Sequence, residues 1–120
     1  MAARGAVLTD FVWALQILAA AQFFVTGLDK LGDAPPMIQL FETVGFGQWL
    51  RYFTGALEVV SAALLLVPSV AAAGAALLGM TMIGALIAHA TVLPFSPVKA
   101  IILLVMVSAV FWVRRRDLRV

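Results

Sequence analysis

The sequence predicts an all-α fold, a four-transmembrane-helix bundle with a short interfacial helix between the first and second spans. Three observations carry that expectation. Of the 120 residues, 64% are hydrophobic and only 12% charged, against roughly a quarter charged in soluble domains. The apolar residues come in four long runs, each near the ~20 residues that a helix needs to cross a bilayer. None of the runs shows the alternation of a barrel strand, and in lipid only helices and closed barrels satisfy every backbone group. The chain therefore reads as one integral membrane domain over residues 1–120, without a soluble appendage.

The first span is predicted over about residues 9–28, closed by Asp29-Lys30-Leu31-Gly32-Asp33 with charge and a helix-ending glycine. An Arg4 followed by an apolar run and Ala19-Ala20-Ala21 imitates a signal peptide. Asp10 interrupts that order, and the apolar run continues through Phe23-Phe24-Val25. A short interfacial helix follows over about 36–44, where Met37, Leu40, Phe41 and Val44 fall at helical spacing. Gly45 and Gly47 break it.

The second span reads from about 49 to 67, ending at Pro68-Ser69, and the third from 70 to 93 with Ser69 as its cap. In the third, Ala71, Ala75 and Gly79, then Gly84 and Ala88, repeat at an interval that lets helix backbones approach closely. That stripe suits a tightly packed bundle or a dimerisation face. Pro94-Phe95-Ser96-Pro97 is a tight turn in which Ser96 suits the N-cap and Pro97 the first helical position, so the fourth span runs over about 97–113.

Charge supplies direction. The net charge is +2, but Arg114, Arg115, Arg116 and Arg119 crowd the C-terminus, a membrane-orientation signal before a nucleic-acid patch. Nucleic acid is therefore not expected as a partner. With Arg4 they outnumber Lys30, Arg51 and Lys99 on the opposite side, which puts both termini in the cytoplasm and the chain in the cytoplasmic (inner) membrane. The interfacial aromatics agree, with Trp13 and Trp112 at the cytoplasmic side and Trp49, Tyr52 and Phe95 at the outer. The C-terminal arginines would also contact anionic lipid.

An ionisable side chain in hydrocarbon costs on the order of 3 kcal/mol, so each one asks for a partner or a purpose. Glu58 stands out. It lies nine residues inside Trp49, about 13 Å deep at 1.5 Å per residue. Arg51 shares its face two turns higher, with Gly55 between them expected to leave an opening. On the first span Gln22, Thr26 and either Asp29 or Lys30 form a matching stripe that brings Gln22 level with Glu58. The third span adds Thr81, Ala85 and His89.

These stripes are expected to converge on a polar cavity around Glu58, with the fourth span mainly a lipid-facing wall. The candidate ligand-binding residues are Glu58, His89, Gln22, Arg51, Thr26 and Lys30. For Glu58, a neutral acid bonded to Gln22 as a structural link and a ligand or proton site both stay open. His89 reads as a packing histidine or a hydrogen-bond donor to a quinone or other ligand. Arg51, Lys30 and Lys99 read as interface residues that snorkel to the surface.

Several chemistries are excluded. The chain has no cysteine and one histidine, so a dithiol relay, bis-histidine haem and a histidine-based metal site cannot be built within it. No phosphate loop or acyl-transfer triad is present. No catalytic residue is assigned and no metal or resident cofactor is expected; a quinone or lipid is the candidate guest.

Phe23-Phe24-Val25-Thr26-Gly27-Leu28-Asp29-Lys30-Leu31 at the end of the first span and Gly55-Ala56-Leu57-Glu58 in the second resemble the two signatures of the DoxX-like membrane proteins. Ile83-Gly84-Ala85-Leu86-Ile87-Ala88-His89, followed by a turn and a last span into an arginine cluster, extends the resemblance over nearly the whole chain. The resemblance implies a four-helix bundle in the cytoplasmic membrane, around redox systems such as thiosulfate:quinone oxidoreductase. Related four-span proteins in animals assist assembly of other membrane proteins. The function expected is an accessory or assembly component of a membrane redox complex, with other membrane subunits, a homo-oligomer and lipids as partners. The alternatives are a quinone-reactive oxidoreductase subunit, in which Glu58 accepts a proton and His89 or Arg51 binds a quinone oxygen, and small-solute or proton transport by an oligomer.

Overall fold

A computed structural model of the chain describes residues 2–91 and 96–117. Among these residues the structure is all-helical: α1 (Ala2–Leu31), α2 (Pro35–Val44), α3 (Gln48–Leu65), α4 (Ala71–Thr91), α5 (Val98–Arg114) and a closing 3-10 turn (Arg115–Asp117). The four long helices run alternately up and down. α1 packs against α3 and α5, α3 against α4, and α4 against α5, so they close into a ring of antiparallel neighbours. Two of them, over Leu8–Leu31 and Ala71–Thr91, are long and apolar enough to cross a membrane.

The interior is filled by Val12, Ala19, Phe23, Leu65, Ala75, Leu78, Val107 and Val110, all almost fully buried. The outward faces are also apolar. Phe11, Leu18 and Val25 on α1, Phe53 and Val60 on α3, Met80 and Ile87 on α4, and Ile102, Val105 and Trp112 on α5 are exposed. A water-soluble bundle places polar residues there.

Helix ends depart from the expected boundaries in instructive ways. α1 begins at Ala2, ahead of the apolar stretch, which itself starts at Leu8, next to the expected residue 9. At its other end the left-handed residue is not Gly32 but Asp33 (φ 59°), a residue type that tolerates this conformation. The Ala34 N–H donates to the Asp29 carbonyl at 3.2 Å across that turn. α2 starts one residue early, at Pro35, with proline in its first turn where no N–H is missed. Gly45 (φ 89°) terminates it, its N–H donating to Phe41.

α4 starts at Ala71, so Ser69 lies in the preceding turn instead of capping. α5 starts at Val98 with Pro97 as the flanking residue, one position later than expected. The Ser96 hydroxyl still accepts the Val98 N–H at 3.2 Å. The expected end of the third span at Leu93, and Pro94 and Phe95, lie outside the described residues.

Close helix contact occurs at glycines other than those of the third-span stripe. A Cβ added at Gly55 would lie 2.9 Å from the Gly27 carbonyl oxygen, and one at Gly27 would lie 2.9 Å from that of Gly55. α1 and α3 thus meet backbone to backbone. Gly74 plays the same part between α4 and α3, where an added Cβ would sit 2.8 Å from the Ser61 carbonyl. Gly79 has only ordinary contacts, and Gly84 has open space around it. Ala71 and Ala75 are buried, so the N-terminal part of the stripe packs closely and its C-terminal part, at Gly84, does not.

Candidate functional site

The site grows from one requirement: a carboxylate inside an apolar bundle must be matched. Glu58 is almost fully buried on α3. Thr26 and Lys30, one turn apart on α1, share the face that meets it. The Lys30 ammonium donates to both carboxylate oxygens of Glu58 at 3.0 Å, and the Thr26 hydroxyl donates to Oε2 at 3.0 Å. Lys30 is itself 12% exposed in its side chain, so the ion pair is largely removed from solvent.

Glycine explains how these groups reach one another. The Gly27–Gly55 contact lies directly beside Thr26 and Lys30 and draws the two helices together. Gly55 therefore leaves no opening on the Glu58 face, contrary to the expectation from the sequence; α1 fills the space. Of the two candidates at the end of the stripe, Lys30 turns inward and Asp29 is exposed. Gln22 is half-buried and makes no hydrogen bond to Glu58, whose partners lie one and two turns further along α1.

Arg51 does not snorkel either. It is 3% exposed and caps the end of α1 through a hydrogen bond from Nη1 to the Lys30 carbonyl oxygen. Its Nη2 lies 2.8 Å from Asp33 Oδ1, its Nε donates to Gln48 at 2.6 Å, and its guanidinium stacks 4.2 Å from the Tyr52 ring centre. Tyr52 also donates to Asp33 Oδ1, at 2.7 Å. The tyrosine hydroxyl and then the Arg51 guanidinium hold the Asp33 carboxyl below its usual range.

Because folding lowers the Asp33 pKa, its contribution is present above the unfolded value of about 3.9 and is lost as pH falls through the folded one. Thermal unfolding of Asp33→Asn is expected to show a smaller acid-side loss of stability than the native chain. Identical acid limbs would contradict this.

Beyond the ion pair lies a partly open cavity of about 870 Å³. Phe23, Phe53, Leu57, Leu77 and Leu103 are among the apolar residues of its wall. α2 roofs it with Met37, Leu40, Phe41 and Val44, so the apolar face of the expected interfacial helix covers the cavity. Gln48 Nε2 holds that roof by donating to the Ile38 carbonyl at 3.2 Å.

The polar lining is sparse. Thr26 and Lys30 on α1 with Thr54 and Glu58 on α3 lie on one side; Thr81, His89 and Thr91 on α4, with Ser96 and Lys99 at the start of α5, lie on the other. His89 Nδ1 is 2.8 Å from the Ala85 carbonyl oxygen. The fourth long helix thus contributes to the cavity, contrary to its expected role as a plain wall, and the cavity is mainly apolar where a polar one was expected. Arg51 and Gln22 are not among its lining residues.

A second polar centre at the opposite end escaped the sequence analysis. Gln16 on α1 is fully buried; its Nε2 donates to the Leu65 carbonyl at the end of α3 at 2.6 Å, and its Oε1 accepts from Arg114 Nε on α5 at 2.9 Å. Arg114 also lies 5.3 Å from the Trp13 ring centre. It points into the bundle. The one available signal was a second amide, besides Gln22, in an apolar run.

Among the described residues there is no group of three metal-ligating side chains. A family model described as DoxX-like family matches residues 14–114. No curated protein and no solved structure matches the chain.

Proposed function

The chain belongs to the DoxX-like family, and on that premise we propose that it is a four-span accessory component of a membrane complex whose side cavity holds an amphiphilic small molecule, a quinone or a lipid. The observation that carries the proposal is the cavity of about 870 Å³, mainly apolar, with the Lys30–Glu58 pair in its wall and a few further polar groups from α4 and α5. Small-molecule sites have this size and character. Binding is favoured over catalysis because both carboxylate oxygens of Glu58 are already engaged by Lys30 and Thr26.

Four spans are supported by the apolar outward faces of all four long helices. α3 and α5, with 18 and 17 residues, reach about 26–27 Å, close to the ~30 Å hydrocarbon core. In the proposed orientation both termini lie in the cytoplasm and the Arg51 cluster with the α2 roof faces outward, in the inner membrane of a cell that has one.

The test is extraction from native membranes in a mild detergent, with mass identification of whatever accompanies the protein. The native chain is expected to retain an amphiphile and partner subunits, and Gly84→Trp, which places a large side chain in the cavity, to lose the amphiphile. A protein that always emerges alone and without a bound molecule would overturn the proposal.

A further inference from the structure

We infer that the guest of the cavity is a single-chain amphiphile with an anionic head, a fatty-acid carboxylate, held by Lys99. The inference rests on the cavity being a binding site and goes further by fixing the charge and shape of what it takes. Among the described residues, four titratable groups line the cavity: Lys30, Glu58, His89 and Lys99.

Lys30 and Glu58 neutralise each other at 3.0 Å. His89 is committed through Nδ1 to the Ala85 carbonyl. Lys99 has no carboxylate within reach among the described residues, since the ion pairs there are Lys30–Glu58 and Arg51–Asp33. Among the described residues, the cavity therefore carries one charge without an ion-pair partner, the positive one of Lys99 at its α4–α5 end.

That charge sits where a head group would. Lys99 is the second residue of α5 and is exposed, while Leu103, one turn deeper on the same face, is buried in the apolar wall. A carboxylate at Lys99 would place its tail along Leu103, Leu77 and Phe23 toward the interior. The exposed Lys99 ammonium stands at the mouth, where it can meet an anionic head while the tail lies against the buried apolar wall. The volume suits a ligand of drug-like size, hence one acyl chain rather than the two of a phospholipid.

The experiment measures binding of radiolabelled palmitate, methyl palmitate and phosphatidylglycerol to the immobilised, detergent-solubilised full chain, by scintillation proximity. Palmitate is expected to bind at least about tenfold more tightly than its methyl ester, a difference of ~1.4 kcal/mol. Lys99→Met should remove that advantage and Lys99→Arg should restore it, with methyl palmitate unchanged across the series. Equal binding of acid and ester, preference for phosphatidylglycerol, or indifference to Lys99→Met would overturn the anionic single-chain guest while leaving the cavity as a binding site. Binding of none of the three would overturn both.

Discussion

Replacing Glu58 by leucine is expected to destabilise the bundle by about 3–5 kcal/mol, the cost of leaving a buried partner charge unmatched. Lys30 is the stranded group: it is 12% exposed and both oxygens that accept from it belong to Glu58. Lys30→Leu should cost a similar amount by stranding the carboxylate. The double variant should recover most of the loss, because replacing both members with apolar groups of similar volume is often neutral. Glu58→Gln should fall between, since its amide oxygen can still accept from Lys30 and Thr26. Reversible unfolding in mixed micelles measures the cycle; losses that simply add would show that the pair is not coupled.

Gly55→Val should cost about 3 kcal/mol, the upper end of what overpacking produces. The new side chain would meet the Gly27 carbonyl oxygen at 2.9 Å and the Lys30 Cβ at 2.9 Å, and a backbone atom cannot swing aside. Separating α1 from α3 would also pull Lys30 from Glu58. Gly84→Ala is the matched control, because its Cβ meets nothing within 4 Å. It should be neutral or slightly stabilising through helix propensity. The comparison is a thermal unfolding series in detergent, and equal effects at the two glycines would contradict the close α1–α3 contact.

The helices and the unusual position of Glu58 were legible in the sequence because both rest on local pattern. Apolar runs of helical length declare themselves, and a carboxylate within one is conspicuous. Thr26 and Lys30 were legible as a stripe, since helical spacing alone puts them on one face. What could not be read was the angle at which that stripe meets its neighbour. Snorkelling is the right expectation for a lysine near a helix end with nothing opposite it; Lys30 turns inward because Glu58 arrives from another helix.

Arg51 turns in for a related reason, as it finds the unsatisfied end of α1 and Asp33 within reach. Gly55 looked like an opening because its partner glycine lies 28 residues earlier in the chain. Gln16 and Arg114 lie 98 residues apart. No window along the chain connects them.

Native mass spectrometry of the protein released from native membranes shows whether an amphiphile occupies the cavity beside Lys30 and Glu58. Gly84→Trp is the comparison, since Gly84 lines the cavity and a Cβ there meets nothing within 4 Å, so the added ring has the guest's space to enter. The account predicts a bound amphiphile on the native chain and none on Gly84→Trp at equal stability. Two bare proteins, or the same molecule retained by both, would contradict it.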